Sequence, residues 1–238
     1  MSSYNLKRLL QPKSIALFGG LWIENVANQI KNSNFKGNVW PINPHRKSIA
    51  GYKCFQDISD LPGVPDTAFI GVNRTKTLEI LTKLNEVGCG GATCFAAGFS
   101  EVDKYGKQLQ KKLSKASKDM PFLGPNCYGY INYLDHIHMW PDQHGGKEVE
   151  KGVAIIAQSS NIAINLTMNT RSTPIAYVLT TGNQAKIDMS DLGLAMINDK
   201  RVTAIGIYIE GFKAVSYTHL RAHETPEHRV CRRVREKK

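Results

Sequence analysis

Short apolar runs alternate with stretches of helical period along most of this chain, and each run stops at or near Gly or Asn. Residues 13–20 (KSIALFGG) form the first run and end in paired glycines. Helical spacing follows at Val26, Ala27, Ile30 and Phe35 within 24–35. Runs at 37–44 (GNVWPINP) and 66–73 (DTAFIGVN) predict two more strands. In 74–88, Leu78, Leu81 and Leu84 share one helical face and Gly88 supplies the stop. A fourth strand is expected at 90–99 (GGATCFAAGF), a Lys-rich amphipathic helix at 103–120 and a short fifth strand at 121–124 (PFLG). Strand and helix in strict alternation predict a parallel sheet with right-handed crossovers, an α/β fold.

In such a sheet ligands lie outside the carboxyl ends of the strands. The residues there are Gly19 and Gly20, Asn43 and Pro44, Asn73 and Arg74, Gly98 and Phe99, and Asn126. Glycine lets a ligand approach the backbone, and asparagine brings an amide and tolerates unusual φ. The NAD fingerprint is missing: GGLWIEN follows the first strand, and INPHRK ends the second where an acidic residue would hold a ribose. His45, Arg46 and Lys47 suit a phosphate-bearing nucleotide, and they equally suit an ordinary exposed loop.

A second α/β segment opens at GVAIIAQSSNIAINLTMN, residues 152–169. Val153–Ala157 reads as a buried strand, and Ile162, Ile164 (or Leu166) and Met168 lie on a helix after it. Between them Gln158, Ser159, Ser160 and Asn161 form a polar turn at a helix N-terminus. The free N–H groups and the macrodipole there favour an anion. Simple N-capping by a serine accounts for the same pattern. TTGNQAKID follows the strand IAYVL, Asp188 and Asp191 open the next helix, and AIGIYIEG is a third strand ending at Glu210.

The 238 residues are 42% hydrophobic and 21% charged, enough for one large or two modest domains. No apolar run reaches the ~20 residues of a membrane span, and the first residues lack the apolar core of a secretory signal. Five cysteines (54, 89, 94, 127, 231) make no CxxC pair, so buried free thiols in a reducing cytoplasm are expected, and no metal site. The net charge of +11 raises nucleic acid as a partner. Much of the excess, though, recurs every three to four residues at Lys107, Lys111, Lys112, Lys115 and Lys118, with no interleaved aromatics for base stacking. A solvated helix face or an anionic cofactor explains it better, and neither nucleic acid nor membrane is expected. After Val215 the pattern changes. Residues 216–238 carry seven Lys/Arg against three Asp/Glu, and SYTHLRAHET resembles a translated sequencing adapter. That segment is expected to be non-native or disordered, and His219, His223 and His228 are not read as ligands. His136 and His138 alternate along an extended stretch and so point to opposite sides, which suits a loop or a partly buried pair.

LLQPKSIALFGG, GNVWPINPHRKSIAG, AAGFSE, GPNCYGYIN, GVAIIAQSS, TTGNQAKIDMSDLG and IGIYIEG occur in that order. Together they resemble the N-terminal part of the nucleoside-diphosphate-forming acyl-CoA synthetases, relatives of the succinyl-CoA ligase α chain. The resemblance spans about residues 6–214. It implies a Rossmann-like CoA-binding domain at 1–145 and an incomplete flavodoxin-like ligase domain at 150–214, both with parallel sheets. It implies coenzyme A and acyl-CoA as ligands held by Gly19, Gly20, Asn43, Pro44, Arg46, Lys47, Asn73 and Gly124. Asn126 would orient the reacting carbonyl or thiol, and Cys127 beside it would pack rather than react. Gln158, Ser159, Ser160 and Asn161 would bind phosphate, and Glu210 would sit by a phosphorylated histidine.

The reaction so implied is acyl-CoA + ADP + phosphate ⇌ acid + CoA + ATP, through an acyl phosphate and a phosphohistidine. The histidine and the ATP-grasp module that binds ADP, ATP and Mg are expected outside these residues, as a domain or a subunit, with homo-oligomerisation of the whole protein. This stretch alone would then not turn over, and the second domain's apolar faces would lack cover. Two other functions fit parts of the pattern: a non-catalytic CoA-sensing module of a protein acyltransferase, and an NAD(P)-dependent oxidoreductase.

Overall fold

The computed structural model describes residues 4–168 and 173–211. The expected break after Val215 and the tail histidines lie outside the described residues. The elements in chain order are α1 (Lys7–Leu10), β1 (Ser14–Gly19), α2 (Leu21–Asn32), β2 (Asn38–Ile42), β3 (Ser48–Ile49), β4 (Tyr52–Lys53), β5 (Thr67–Gly71), α3 (Arg74–Glu86), β6 (Ala92–Cys94), α4 (Lys104–Ala116) and β7 (Phe122–Leu123). Then come β8 (Tyr130–Asn132), β9 (Ile137–Met139), β10 (Gly152–Ala157), α5 (Ser160–Thr167), β11 (Ile175–Thr180), α6 (Met189–Asn198) and β12 (Val202–Tyr208).

The first sheet has the order β2-β1-β5-β6-β7, parallel at every described pairing. Ile15, Ala16 and Leu17 of β1 and Ala68, Phe69 and Ile70 of β5 are wholly buried. A strand covered on both faces has no polar side to alternate, which is why these runs read as continuous apolar sequence. Asn73 and Asp103 cap α3 and α4 by accepting the N–H of Lys76 and of Gly106. Gly88, at φ +79°, closes the turn just past α3. The five lysines singled out on and after α4 are exposed, on the solvated face their spacing predicted.

α2 begins at Leu21, three residues before the helical pattern becomes legible. Leu21 and Trp22 in its first turn are exposed, so they break the apolar period. Its buried stripe, Ile23, Val26, Ala27 and Ile30, packs between the first sheet and β9.

The second sheet has the order β12-β10-β11-β8-β9. Its β12-β10-β11 portion is parallel as expected, whereas β8 pairs antiparallel with β11 and β9 antiparallel with β8. The sheet is therefore mixed, a correction to the expectation of two parallel sheets. The β8–β9 hairpin lies before residue 145, yet it pairs in the second sheet. One apolar cluster runs through both halves of the chain, joining Leu9, Ile23, Val26 and Ile30 to Tyr130, Met139, Ile156, Tyr177, Met189 and Leu192. The expected lack of cover is met on that face by α1, α2 and α6. On the other face Ala204, Gly206 and Tyr208 of β12 remain exposed.

Polar contacts follow the same seam. The Tyr130 hydroxyl donates to the Leu9 carbonyl, and Asn132 Nδ2 donates to the Leu10 carbonyl at 3.0 Å. Arg201 grips Asp135 with both terminal nitrogens, at 2.7 and 2.9 Å, and also bonds Asp199, tying the β8–β9 turn to the start of β12. Asn25 and Gln29 of α2 donate to the carbonyls of Pro141 and Asp142 in the connection that leads to β10.

That connection is also held by imidazoles. His144 Nδ1 lies 3.0 Å from the Tyr133 hydroxyl, and its ring meets that of His138 edge-on at 4.6 Å between centroids. His138 on β9 is buried, while His136 takes φ +59° in the turn with Nδ1 3.7 Å from Glu148. Burial, then the neighbouring His144 and His136, push His138 down to about 3 from its ordinary 6.5. Burial also lowers His144, against the opposing pull of Glu148. Burial therefore favours the neutral form of both rings in the fold, whereas the unfolded chain takes up protons on them as pH falls through 6.5. Protons then favour the unfolded state, and for His138 the loss of stability begins below pH 6.5 and continues toward about 3. Urea midpoints measured from pH 7 to 5.5 should fall, above the range where carboxylates titrate. His138→Phe should flatten that slope.

Candidate functional site

The order of strand addition reverses in the first sheet at β1: β2 lies on one side and β5 on the other, both parallel to it. The loops leaving β1 and β5 therefore diverge and leave a crevice at their carboxyl ends. Gly19 stands at φ +144°, and a Cβ there would come within 2.6 Å of the Gly71 carbonyl oxygen. Glycine is what lets the two loops approach. Around Gly20 no atom lies within 4 Å of where a Cβ would be, so the turn opens directly to solvent.

The polar residues picked out by position are present at this edge, but several side chains are already engaged. Asn43 Nδ2 donates to the Gly19 carbonyl at 2.7 Å, and its Oδ1 accepts the His45 N–H at 2.9 Å. It therefore shapes the glycine turn. The Arg46 guanidinium pairs with Glu24 of α2 at 2.7 Å, which bridges the second loop to the first turns of α2. Pro44 and Lys47 are exposed beside them. Asn73 is spent on capping α3.

Gly124, Pro125 and Asn126 follow β7. Gly124 is at φ +95° and Asn126 at φ +56°, so the loop is tightly coiled and the Asn126 side chain stays exposed. It interlocks with the loop after β11. Asn183 N–H donates to the Pro125 carbonyl and Ala185 N–H to the Gly124 carbonyl, each at 2.9 Å, and Asn126 N–H donates to Ala96 at 2.9 Å. Gly182, at φ +52°, lies so close that a Cβ would sit 2.4 Å from both the Pro125 and Asn126 oxygens.

Glu101, within the AAGFSE stretch, binds this junction from the side. It accepts the N–H groups of Gly98 and Phe99 and an amide proton of Asn183. Burial alone would raise its carboxyl, but the Asn183 and backbone donors outweigh that, so it is held below its ordinary range. Sequence reading assigned Glu101 no role, because its partner on the second sheet is invisible from spacing.

Cys127 is buried beneath the junction, with Sγ 3.1 Å from the Thr180 carbonyl oxygen. Burial pushes its thiol up to about 11, only partly offset by the Thr180 hydroxyl and the Gly129 N–H. At neutral pH it is a protonated packing group, not a nucleophile.

In the second sheet, Ser159 caps α5 by accepting the Ile162 N–H at 3.5 Å. Ser160 and Asn161 occupy the first turn, where N–H groups have no carbonyl one turn back. Gln158 does something else. Its Oε1 accepts the N–H groups of Glu210 and Gly211, and its Nε2 donates to the Gly211 carbonyl at 3.0 Å. It thus locks the end of β12 to the end of β10 and fixes the backbone of Glu210, whose side chain is exposed. The aromatic residues near the glycine turn, Trp22, Phe95 and Tyr128, had also drawn no functional reading; two of them sit one or two residues from named positions.

Hollows of about 420 and 440 Å³ lie elsewhere, one beside Phe35 and His136 and one beside Tyr4 and Met196. Among the described residues no His/Cys/Asp/Glu cluster could hold a metal, and no helix is long and apolar enough to cross a membrane.

Known proteins resemble this chain along both of its α/β segments. Residues 13–133 match the family model of a CoA binding domain, and residues 150–225 that of a succinyl-CoA ligase like flavodoxin domain. The acetate–CoA ligase (ADP-forming) of Methanocaldococcus jannaschii is 32% identical over 218 residues, 88% of this chain and 30% of that protein. The alpha subunit of acetate–CoA ligase (ADP-forming) II from Pyrococcus furiosus is 28% identical over 87% of this chain and 47% of its own. A trans-feruloyl-CoA synthase from an unknown prokaryotic organism is 28% identical over 89% of this chain and 32% of its own. Among solved structures, a dinucleotide forming acetyl-coenzyme A synthetase 1 of Ca. Korarchaeum cryptofilum, in complex with phosphate and ADP, superposes with a TM-score of 0.83 at 29% identity. The match covers 91% of this chain and 48% of that one. The chain thus spans about a third to a half of the relatives it matches.

The interlock makes a specific demand on Gly182. Gly182→Ala should cost about 2–4 kcal/mol, from left-handed backbone strain plus overpacking against the 124–126 loop. Gly193→Ala in α6, where a Cβ meets nothing within 4 Å, should instead gain about 0.5–1 kcal/mol. Urea unfolding of the two variants checks both signs.

Proposed function

The chain belongs to the CoA binding domain family, and from that premise we propose that it is the CoA- and phosphate-handling part of an ADP-forming acid–CoA ligase. The observation that carries this reading is the interlock between the carboxyl ends of the two sheets. It sets Asn126, at the end of β7, against the Gly182–Asn183 turn, one strand away from the first turn of α5.

In this reading the CoA phosphates lie over the Gly19–Gly20 turn, with Lys47 and the backbone around Asn43 and Pro44 toward the adenosine end. Asn43 and Arg46 act by shaping that edge. Asn73 acts from the mouth of the crevice, as the cap that fixes where α3 begins. Gly124, buried against the Cys94 carbonyl and Cys127, lets the loop turn so that Asn126 faces outward, and the Asn126 amide orients the carbonyl. Phosphate rests on the N–H groups of Ser160 and Asn161, with the Ser159 hydroxyl beside them and Gln158 as a positioning residue.

The chemistry then balances in three transfers. A phosphate oxygen attacks the thioester carbon, and the CoA thiolate leaves, giving an acyl phosphate. Its phosphoryl group passes to an imidazole nitrogen and releases the carboxylate. ADP then takes the phosphoryl group. Glu210 would raise the basicity of that imidazole, as a carboxylate partner does. The phosphorylated histidine and the ATP-grasp module that holds ADP and Mg belong, in this reading, to a further domain or a separate subunit.

CoA should stabilise the chain. At a hundredfold excess over Kd a native-state ligand adds about 2.7 kcal/mol, or a rise in Tm of roughly 5–10 °C at this size. NADP at the same concentration should leave Tm unchanged. A shift with NADP and none with CoA would turn the assignment toward an oxidoreductase.

A further inference from the structure

At the same edge the chain carries a row of aromatic rings whose inner members, Phe95 and Tyr128, rest on the core through Phe69 and Trp140 and whose outer member, Trp22, opens to solvent. Trp22 follows Gly20 by two residues, Phe95 follows β6 directly, and Tyr128 follows Asn126 by two residues. Trp22 and Phe95 lie 4.8 Å apart between centroids, Phe95 and Tyr128 5.5 Å, and Tyr128 rests on the buried Trp140 at 5.6 Å. The row therefore starts at the candidate CoA turn, reaches Tyr128 two residues past Asn126 in sequence, and ends on the apolar cluster that holds Ala157 and Ala163 at the two ends of the α5 turn. The rings are tilted to one another by 46° and 57°, so they fan out instead of covering each other's faces.

Trp140 at the inner end is fully buried and is core. Trp22 at the outer end is 43% exposed, and its neighbour Leu21 is 73% exposed. Scattered apolar residues on a surface need no explanation. Two adjacent ones at a ligand turn, continuous with two half-buried rings, form a single apolar face. Small-molecule sites consist of such a face with a few polar groups to fix orientation. Asn126 and the first turn of α5 are those groups.

We propose that Trp22, Phe95 and Tyr128 form the wall of an acyl subsite that favours CoA thioesters of planar aromatic acids over those of short aliphatic acids. This rests on the CoA reading above. An acetyl group is too small to cover the fan, whereas an aromatic acyl group offers a flat ring for offset or edge-on contact with Trp22 and Tyr128. One such aromatic contact corresponds to about a 3- to 10-fold gain in affinity.

Binding of CoA, acetyl-CoA and benzoyl-CoA to the 238-residue chain, by calorimetry, tests it. Benzoyl-CoA should bind about 3- to 10-fold more tightly than acetyl-CoA. Trp22→Ala should bring that ratio close to one, and Trp22→Phe should keep part of it. Trp22 is partly exposed, so the variants should stay folded with at most a few degrees lost from Tm; Tyr128→Leu gives a second, independent loss of the ratio. Equal affinity for the two thioesters, or a ratio untouched by Trp22→Ala and Tyr128→Leu, overturns the proposal while leaving CoA binding intact. Failure of all three compounds to bind removes the CoA reading, and this one with it.

Discussion

The backbone hydrogen bonds between the 124–126 loop and the 183–185 loop hold the molecule's geometry in place. Each sheet alone ends in loops that are free to splay. Joined, the carboxyl ends of β7 and β11 share donors and acceptors, and neither loop can move without exposing unpaired polar groups. Glycine at 182 and the left-handed turn at Asn126 are consequences of how close the two chains come. Glu101 completes the join from a third direction and stays charged because three donors converge on it.

Around that join the fold separates support from chemistry in an economical way. Asn43, Arg46, Asn73 and Gln158 look like ligand contacts when only position is considered. Each instead holds a loop or a helix end in place. Asn126, by contrast, is exposed at the interlock, as are Leu21 and Trp22 beside Gly20. A site made mostly of backbone and rigid loops loses little entropy when a ligand arrives. The buried, protonated Cys127 fits the same pattern, since it fills space under the loop without competing as a nucleophile.

The strands of the first sheet were legible because burial on both faces leaves uninterrupted apolar runs, as in IALF and TAFIG. α3 and α4 were legible from their period and caps. The start of α2 was not, because Leu21 and Trp22 point outward and erase the apolar period. β8 and β9 were missed for another reason. Each is three residues long, and they contain the polar Asn132 and His138, which are buried by packing against distant elements. At the candidate site the turns fall at the strand ends the sequence marks, but the engagement of their side chains is not legible there. The partners that occupy Asn43, Arg46 and Gln158 come from other loops, and local spacing carries no record of them.

The β8–β9 hairpin ties the two halves of the chain into one folding unit. It belongs by sequence to the segment before residue 145, by pairing to the second sheet, and by packing to α2. A cut in the 141–150 connection would strip β8 of its neighbour β11 and uncover the apolar stripe of α2 at the same time. A substitution on β8 or β9 is therefore felt on both sides of the seam, by α2 of the first half and by β11 of the second.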